Sequence, residues 1–303
     1  MTDSPELSGS IFLVDASPYI FRAFFSVPSK LRTPDGKPKN AVHGFGSFLL
    51  KLVADYGVRR LALTFDRSLN SSFRNELYAD YKAQRELPPP DLEAQLRWCE
   101  ALGAAFGMRC FVDERYEADD LIAALCAPLA EAGHSIVVVS SDKDLCQLVS
   151  PTVKFLDFAK GDLFGIDEVV EKFGVRPEQM VDYLGLAGDA VDNIPGVPGI
   201  GKKTAVSLLS HFSDLDALYG NLEQVAELPI RGAKSLARRL EAHRESAFLS
   251  RRLATVAPEA PARATADELR LAGFDENLLD PLADGLGIER MAQRARKLLV
   301  TPS

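Results

Sequence analysis

Nine carboxylates carry the strongest chemical signal in this 303-residue chain. Glu117, Asp119 and Asp120 fall within four residues, in Tyr116-Glu117-Ala118-Asp119-Asp120, directly ahead of an apolar helical run. Asp15, Asp66 and Asp142 each end a short apolar stretch, and Asp144 lies two residues beyond the last of them. Asp189 and Asp192 are three apart in Gly188-Asp189-Ala190-Val191-Asp192-Asn193. A single such Asp usually caps a turn or a helix, and 117–120 alone reads equally well as an ordinary acidic helix start. The conjunction carries more. Two unit charges ~4 Å apart at an effective dielectric of ~20 repel by roughly 4 kcal/mol. Gathered acids would therefore protonate or unfold the chain unless cations joined them. Oxygen-only ligands suit hard ions such as Mg²⁺ or Mn²⁺. Two such ions about 3.5–4 Å apart can clamp the attacking and leaving oxygens of a phosphodiester. Nine acids exceed what two ions need directly, so some act through water.

The elements around these acids explain how they would meet. Residues 10–15, 60–66 and 135–142 read as buried strands ending in Asp, and 109–112 as a further short strand. Helical periodicity occupies 17–26, 41–56, 71–86, 91–106, the run after Glu117, and a stretch through about 149. Continuous apolar strands alternating with helices predict an α/β fold with a mostly parallel sheet covered on both faces. In such sheets the active site lies outside the carboxyl ends of the strands, where the acids stand. From about 165 the strand signals fade and the chain reads as helices punctuated by Gly and Pro. The expected division is a flexible tail over 1–9, an α/β catalytic unit over 10–180, a helical unit over 181–290 and a tail over 291–303.

Composition sets limits. The chain is 47% hydrophobic and 26% charged, ordinary for a soluble globular protein. No apolar run approaches the ~20 residues of a membrane span, and the first ten residues lack the features of a signal peptide. Cys99, Cys110, Cys126 and Cys146 fit neither a zinc pattern nor a disulfide framework, which suggests reduced thiols and a cytoplasmic protein. The four histidines are scattered, so a histidine metal site or a Ser/His triad has little support. A net charge of −8 argues on its face against nucleic acid, yet without the nine acids the balance is +1. The cations are also grouped: Arg74, Lys82 and Arg85; Lys202 and Lys203; and Arg231, Lys234, Arg238 and Arg239.

Arg74, Tyr78, Tyr81, Lys82 and Arg85 share one face if 71–86 is helical. Tyrosines among cations suit a single nucleic-acid strand, although a solvated amphipathic helix has the same pattern. Ile194-Pro195-Gly196-Val197-Pro198-Gly199-Ile200-Gly201-Lys202-Lys203 is the most specific motif. A Gly-rich turn opening a helix presents free N–H groups to a phosphate. No side chain there suits base edges, so binding would be independent of sequence. A P-loop is excluded because Lys203, not Ser or Thr, follows Gly201-Lys202 and no strand precedes the turn.

These residues resemble the bacterial 5′-3′ exonuclease and flap endonuclease family, which comprises the 5′-nuclease domain of DNA polymerase I and stand-alone relatives. The resemblance runs from about 10 to 290. It rests on Phe12-Leu13-Val14-Asp15, Ser72-Phe73-Arg74, Tyr81-Lys82, Tyr116-Glu117-Ala118-Asp119-Asp120, Asp142-Lys143-Asp144-Leu145, and Gly188-Asp189 through Gly201-Lys202. It implies a PIN-like core with a helical arch, about 67–90, and a helix–three-turn–helix element on duplex DNA. Asp15, Asp66, Glu117, Asp119 and Asp120 would serve one Mg²⁺, and Asp142, Asp144, Asp189 and Asp192 a second. Arg74, Tyr81, Lys82 and Arg85 would lie in the arch, Lys82 steering the scissile phosphate. Phe21 stands where a relative has Tyr, ahead of the matched Arg22; both would meet DNA. Gly196, Gly199, Gly201, Lys202 and Lys203 would hold the duplex. The carbonyls of Leu186, Ala187, Pro195, Val197 and Ile200 would bind K⁺. The implied protein acts as a monomer on DNA with free 5′ ends, flaps or branches. A PIN-type RNase, a non-catalytic junction-binding protein and a fragment of a polymerase are the other readings.

Overall fold

The computed structural model describes residues 7, 9–67, 72–229, 232–271 and 273–299. Five parallel strands and one antiparallel strand form a single sheet, ordered β3-β2-β1-β4-β5-β6. They are β1 (Ile11–Asp15), β2 (Arg60–Asp66), β3 (Arg109–Asp113), β4 (Ile136–Val139), β5 (Val153–Asp157) and β6 (Asp162–Phe164). Every residue of β1 and β4 is buried, as a central parallel strand covered on both faces requires. β5 and β6 are not legible in the sequence. Lys154 and Asp157 break the apolar run of β5, and β6 is a three-residue strand of a hairpin turning at Gly161.

One face of the sheet carries α1 (Ser17–Ser26), α2 (Asn40–Tyr56) and α4 (Pro90–Ala105). The other carries α5 (Ala118–Glu131). Between α2 and α4 in sequence lies a short α3 (Phe73–Leu77). The helix expected over 71–86 stops there, and 68–71 lie outside the described residues. Tyr78 is extended and Lys82 takes a left-handed φ of +54°. The segment turns down onto another loop: Lys82 N–H donates to Asp192 O at 3.0 Å and Asn75 Nδ2 to Tyr81 O at 2.8 Å. Tertiary contacts override local helical preference here. The helix expected through about 149 is a 3₁₀ turn, Lys143–Leu148.

The second half is helical: α6 (Ile166–Phe173), α7 (Met180–Ala187), α8 (Lys202–Leu209), α9 (Leu215–Gly220), α10 (Leu222–Val225), α11 (Ala233–Ala242) and α12 (Arg244–Ala254). Their apolar residues share one core with α5. The chain then returns. Leu61 N–H donates to Leu269 O at 2.8 Å, and Leu271 N–H to Arg59 O at 2.9 Å. Helices α13 (Glu276–Leu286) and α14 (Glu289–Leu298) pack against α4 and α2. Met291, Ala292, Ala295 and Leu299 are buried with the first face, and Lys39 Nζ donates to Leu286 O at 2.7 Å, capping α13. The C-terminal tail expected from 291 is thus helix through Leu298, because its apolar stripe has a partner surface. Leu7, expected in a flexible tail, is buried in the same core. No described helix is long and apolar enough to cross a membrane.

Candidate active site

The strand order reverses between β1 and β4, and the crevice this opens lies at the carboxyl ends of the strands. Parallel pairing brings Asp15 level with Thr64, two residues short of Asp66. Asp66 Oδ1 accepts the Ala118 N–H at 2.8 Å, tying the end of β2 to the first turn of α5. Ser140, just past β4, links two more acids. Its Oγ donates to Asp15 Oδ2 at 2.7 Å and accepts the Asp142 N–H at 3.0 Å. Asp15, Asp66, Glu117, Asp119 and Asp142 line one cavity of about 420 Å³, together with Phe21, Lys82 and Arg85. Arg22 lines a separate groove with Lys51 and Phe158.

The acids are electrostatically unbalanced. Burial, then Asp66, pushes the Asp15 carboxyl well above the usual range. Burial, then Asp120, does the same to Asp119. Asp142 is exposed to solvent, and its carboxyl is raised by desolvation among the surrounding groups, with Asp192 adding to it. Burial followed by Asp142, Asp189 and Asp192 raises Asp144 strongly, which brings the 189–192 loop into the same field. Carboxyls raised in this way can protonate or be relieved by nearby positive charge.

Part of that charge comes from the chain. Lys82 Nζ lies 2.8 Å from Glu117 Oε1 and 3.5 Å from Asp192 Oδ2. Burial disfavours its charge, but Glu117, Tyr81 and Asp192 outweigh burial and hold its pKa well above the usual lysine value. Arg85 pairs with Asp192. The Tyr81 hydroxyl is 3.1 Å from Glu117 Oε2 and 3.3 Å from Asp192 Oδ2. Gln84 donates to Val191 O at 2.9 Å and Asn193 to Asp80 O at 2.6 Å, docking the segment on the 189–193 loop.

Arg74 and Asp120 depart from expectation. Arg74 is 1% exposed. It donates to both oxygens of Asp120 at 2.8 Å, to Glu117 Oε2 at 2.9 Å, and to the carbonyls of Leu253 and Thr255 at 2.8 and 3.1 Å. It is therefore a buried tie between α3, α5 and the end of α12, not an arch cation facing a strand. Asp120 is fully buried and also accepts the N–H groups of Glu117 at 3.1 Å and Ala257 at 2.8 Å. Oxygens of Glu117, Asp119 and Asp120 lie within 4.8 Å of one another. Here both oxygens of Asp120 accept donors, four in all, so it braces Glu117 and Asp119 from behind.

The glycine turn joins α7 to α8. Gly188 and Gly196 both have positive φ and lie back to back; a Cβ on Gly188 would meet Ile194 O at 2.6 Å. Only glycine fits either position. Val197 N–H donates to Leu186 O, and Ile200 N–H to Val197 O, both at 2.9 Å. Leu186, Ala187, Pro195, Val197 and Ile200 thus sit in one tight turn. From α12, Ser250 Oγ accepts the Gly196 N–H at 2.8 Å, and Ser246 Oγ donates to Gly196 O at 2.6 Å. Gly199, Gly201, Lys202 and Lys203 are exposed at the start of α8. Ser140, Ser246 and Ser250 were invisible to sequence reasoning. Only the place of Ser140, two residues before a strand-end acid, is a usable signal.

Comparison with known proteins agrees with this architecture. Residues 10–174 match the family described as 5′-3′ exonuclease, N-terminal resolvase-like domain, and residues 175–277 match 5′-3′ exonuclease, C-terminal SAM fold. A 5′-3′ exonuclease of Buchnera aphidicola subsp. Schizaphis graminum is 33% identical over 86% of this chain and 91% of its own. DNA polymerase I of Pseudomonas aeruginosa is 45% identical over 81% of this chain, which covers 27% of that protein. The chain spans about a quarter to a third of the DNA polymerase I relatives it matches. T5 5′-exonuclease with bound divalent metal ions (zinc) has the same fold, with a TM-score of 0.66 at 22% identity over 95% of this chain and 98% of the other. The acids at the strand ends, the glycine turn and these matches together make the chain a member of the 5′-3′ exonuclease family.

Proposed function

We propose that this protein is a divalent-metal-dependent 5′-3′ exonuclease and flap endonuclease that hydrolyses DNA near a free 5′ end and leaves 5′-phosphates. The observation that carries the reading is the crowding of acids at the strand ends: Asp15, Asp66, Glu117, Asp119 and Asp142 line one cavity, and the Asp144 carboxyl is raised by Asp142, Asp189 and Asp192 beside it, after burial. An all-oxygen donor set of this kind fits two Mg²⁺, or Mn²⁺ in their place. Asp15, Asp66, Glu117 and Asp119 would hold one ion, and Asp142, Asp144, Asp189 and Asp192 the other. Bound there, the ions supply Lewis-acid polarisation of a phosphate oxygen and lower the pKa of a water.

The chain's own groups do the rest. Lys82 and Arg85, paired with Glu117 and Asp192 across the cavity, would exchange a carboxylate for the scissile phosphate and stabilise charge developing on it. Phe21 lines the same cavity and offers a face for a base. The exposed start of α8 would hold the duplex through backbone N–H groups, Lys202 and Lys203, without regard to sequence. Carbonyls of Leu186, Ala187, Pro195, Val197 and Ile200 would bind K⁺ to stiffen that turn. Action as a monomer is part of the proposal, since the acids of both ion sites come from this chain. Cys99, Cys110, Cys126 and Cys146 are free thiols, in keeping with the cytoplasm.

The test uses a 5′-labelled flap duplex with Mg²⁺, with and without chelator. Chelator-sensitive release of labelled 5′ products is expected; an intact substrate across the metal range refutes the proposal.

A further inference from the structure

The two sets of acids meet through one buried hydroxyl. Ser140 follows β4 directly and is fully buried. Its own N–H donates to Leu156 O at 3.2 Å, so β5 fixes its backbone. Ser140 Oγ accepts the Asp142 N–H at 3.0 Å. An amide can only donate, so the hydroxyl's single proton is left for Asp15 Oδ2, 2.7 Å away. The backbone therefore sets the direction of both bonds. Asp142 in turn accepts the Asp144 N–H on Oδ1 at 3.0 Å. One unbroken path of hydrogen bonds runs from Asp15, at the end of β1, to Asp142 and Asp144, past the end of β4.

Spacing matters at this point of the molecule. Two ions that share one phosphodiester must keep a separation of about 3.5–4 Å. The strand ladder does not hold the acids to that distance. Strands β1 and β4 pair only as far as Val14 and Val139, and Asp15 and Asp142 both lie beyond that pair. Asp142 is exposed, at the N-cap of the 3₁₀ turn. Without the hydroxyl, the chain from Val139 to Asp142 would have no printed tie to Asp15. A group that orients ligands from behind, itself touching no ion, is a recurrent part of metal sites.

We propose that Ser140 is a positioning residue that couples the two ion sites, holding Asp15 of one set at a fixed spacing from Asp142 of the other. This rests on the two-ion reading of the crevice. It adds a neutral hydroxyl to the acids and cations that the reaction requires. The alternative is a strut that only satisfies the backbone at the end of β4.

Calorimetric Mg²⁺ titration without DNA, beside thermal melting in chelator, separates the two. Removing a group that orients metal ligands typically weakens metal binding by about 10–100-fold. Ser140→Ala should lose Mg²⁺ affinity by about that factor, and Ser140→Thr, which keeps the hydroxyl, should bind as the wild type does. Ser140→Cys keeps the volume but is a weak donor; it should follow alanine, and it decides the matter if the alanine variant does not fold. Loaded with Mn²⁺, the wild type should give the spin-coupled paramagnetic resonance spectrum of paired ions, and Ser140→Ala or Ser140→Cys that of uncoupled ions. Wild-type Mg²⁺ affinity in the alanine and cysteine variants, even with a lowered metal-free melt, makes Ser140 a strut and overturns its role alone. A threonine variant as weak as alanine overturns it too. Absence of Mg²⁺ binding by the wild type overturns the two-ion reading and this proposal with it.

Discussion

Asp119 and Asp120 are neighbours with opposite expected behaviour. Asp120→Ala removes a fully buried carboxylate that pairs bidentately with Arg74, itself 1% exposed. Breaking a buried ion pair by deleting one partner costs about 3–5 kcal/mol. The orphaned Ala257 N–H, bonded to Asp120 at 2.8 Å, adds about 1 kcal/mol. The loss of about 4–6 kcal/mol is a large part of the 5–15 kcal/mol that typical proteins have, and corresponds to a fall in Tm of roughly 10–15 °C. Asp119→Ala should behave otherwise. Its side chain is 29% exposed, 4.0 Å from Arg74 and held above its normal pKa by burial and Asp120. Removing it should change the metal-free melt by about 1 kcal/mol or less, yet abolish cleavage and most of the Mg²⁺-induced rise in Tm. The assay is thermal melting of both variants in chelator and in Mg²⁺, beside flap cleavage. If Asp120→Ala melts with the wild type while Asp119→Ala collapses, the division between anchor and ligand is wrong.

Lys82→Ala should slow cleavage by about 10²–10³ while duplex affinity stays within a few-fold; single-turnover rates decide it. Metal-free stability should fall as pH rises, because Asp15, Asp119, Asp142 and Asp144 bind protons in the native state at pH values where the unfolded chain, with carboxyls near about 4, has released them. Tm in chelator should decline as pH rises above about 4 and recover with saturating Mg²⁺; a Tm that climbs with pH without metal would contradict the acid balance. Gly196→Ala, at φ +63° against Gly188, should weaken duplex binding by about 1–3 kcal/mol and leave the Mg²⁺-induced melting shift intact, which titration and melting together would reveal.

Much of this site was legible because strand ends are easy to read. A buried apolar run ending in Asp places that Asp at the sheet edge, and β1, β2 and the start of α5 fall where the pattern puts them. The glycine turn was legible for a similar reason, since Gly188 and Gly196 exclude every other residue. The failures came where distant partners decide the geometry. Arg74 belongs to a cationic stretch by spacing, yet its hydrogen bonds reach Leu253 and Thr255, some 180 residues away. Asp120 is indistinguishable from Asp119 in sequence; only the donors supplied by Arg74 and Ala257 separate them. The segment after α3 looks helical until the 189–193 loop is present to receive it.

The return of α13 and α14 to the first face has a consequence for synthesis. Ribosomes add roughly 5–20 residues per second, so the 171 residues from the end of α4 to the start of α13 separate the α2–α4 surface from the helices that close it by roughly 9–34 seconds. During that interval apolar side chains such as Leu49 and Leu102, fully buried in the finished protein, have no permanent cover from Met291, Ala292 or Ala295. Exposed apolar surface of this kind is what makes partly folded chains prone to aggregate, so α13 and α14 close a face that stays vulnerable until they form.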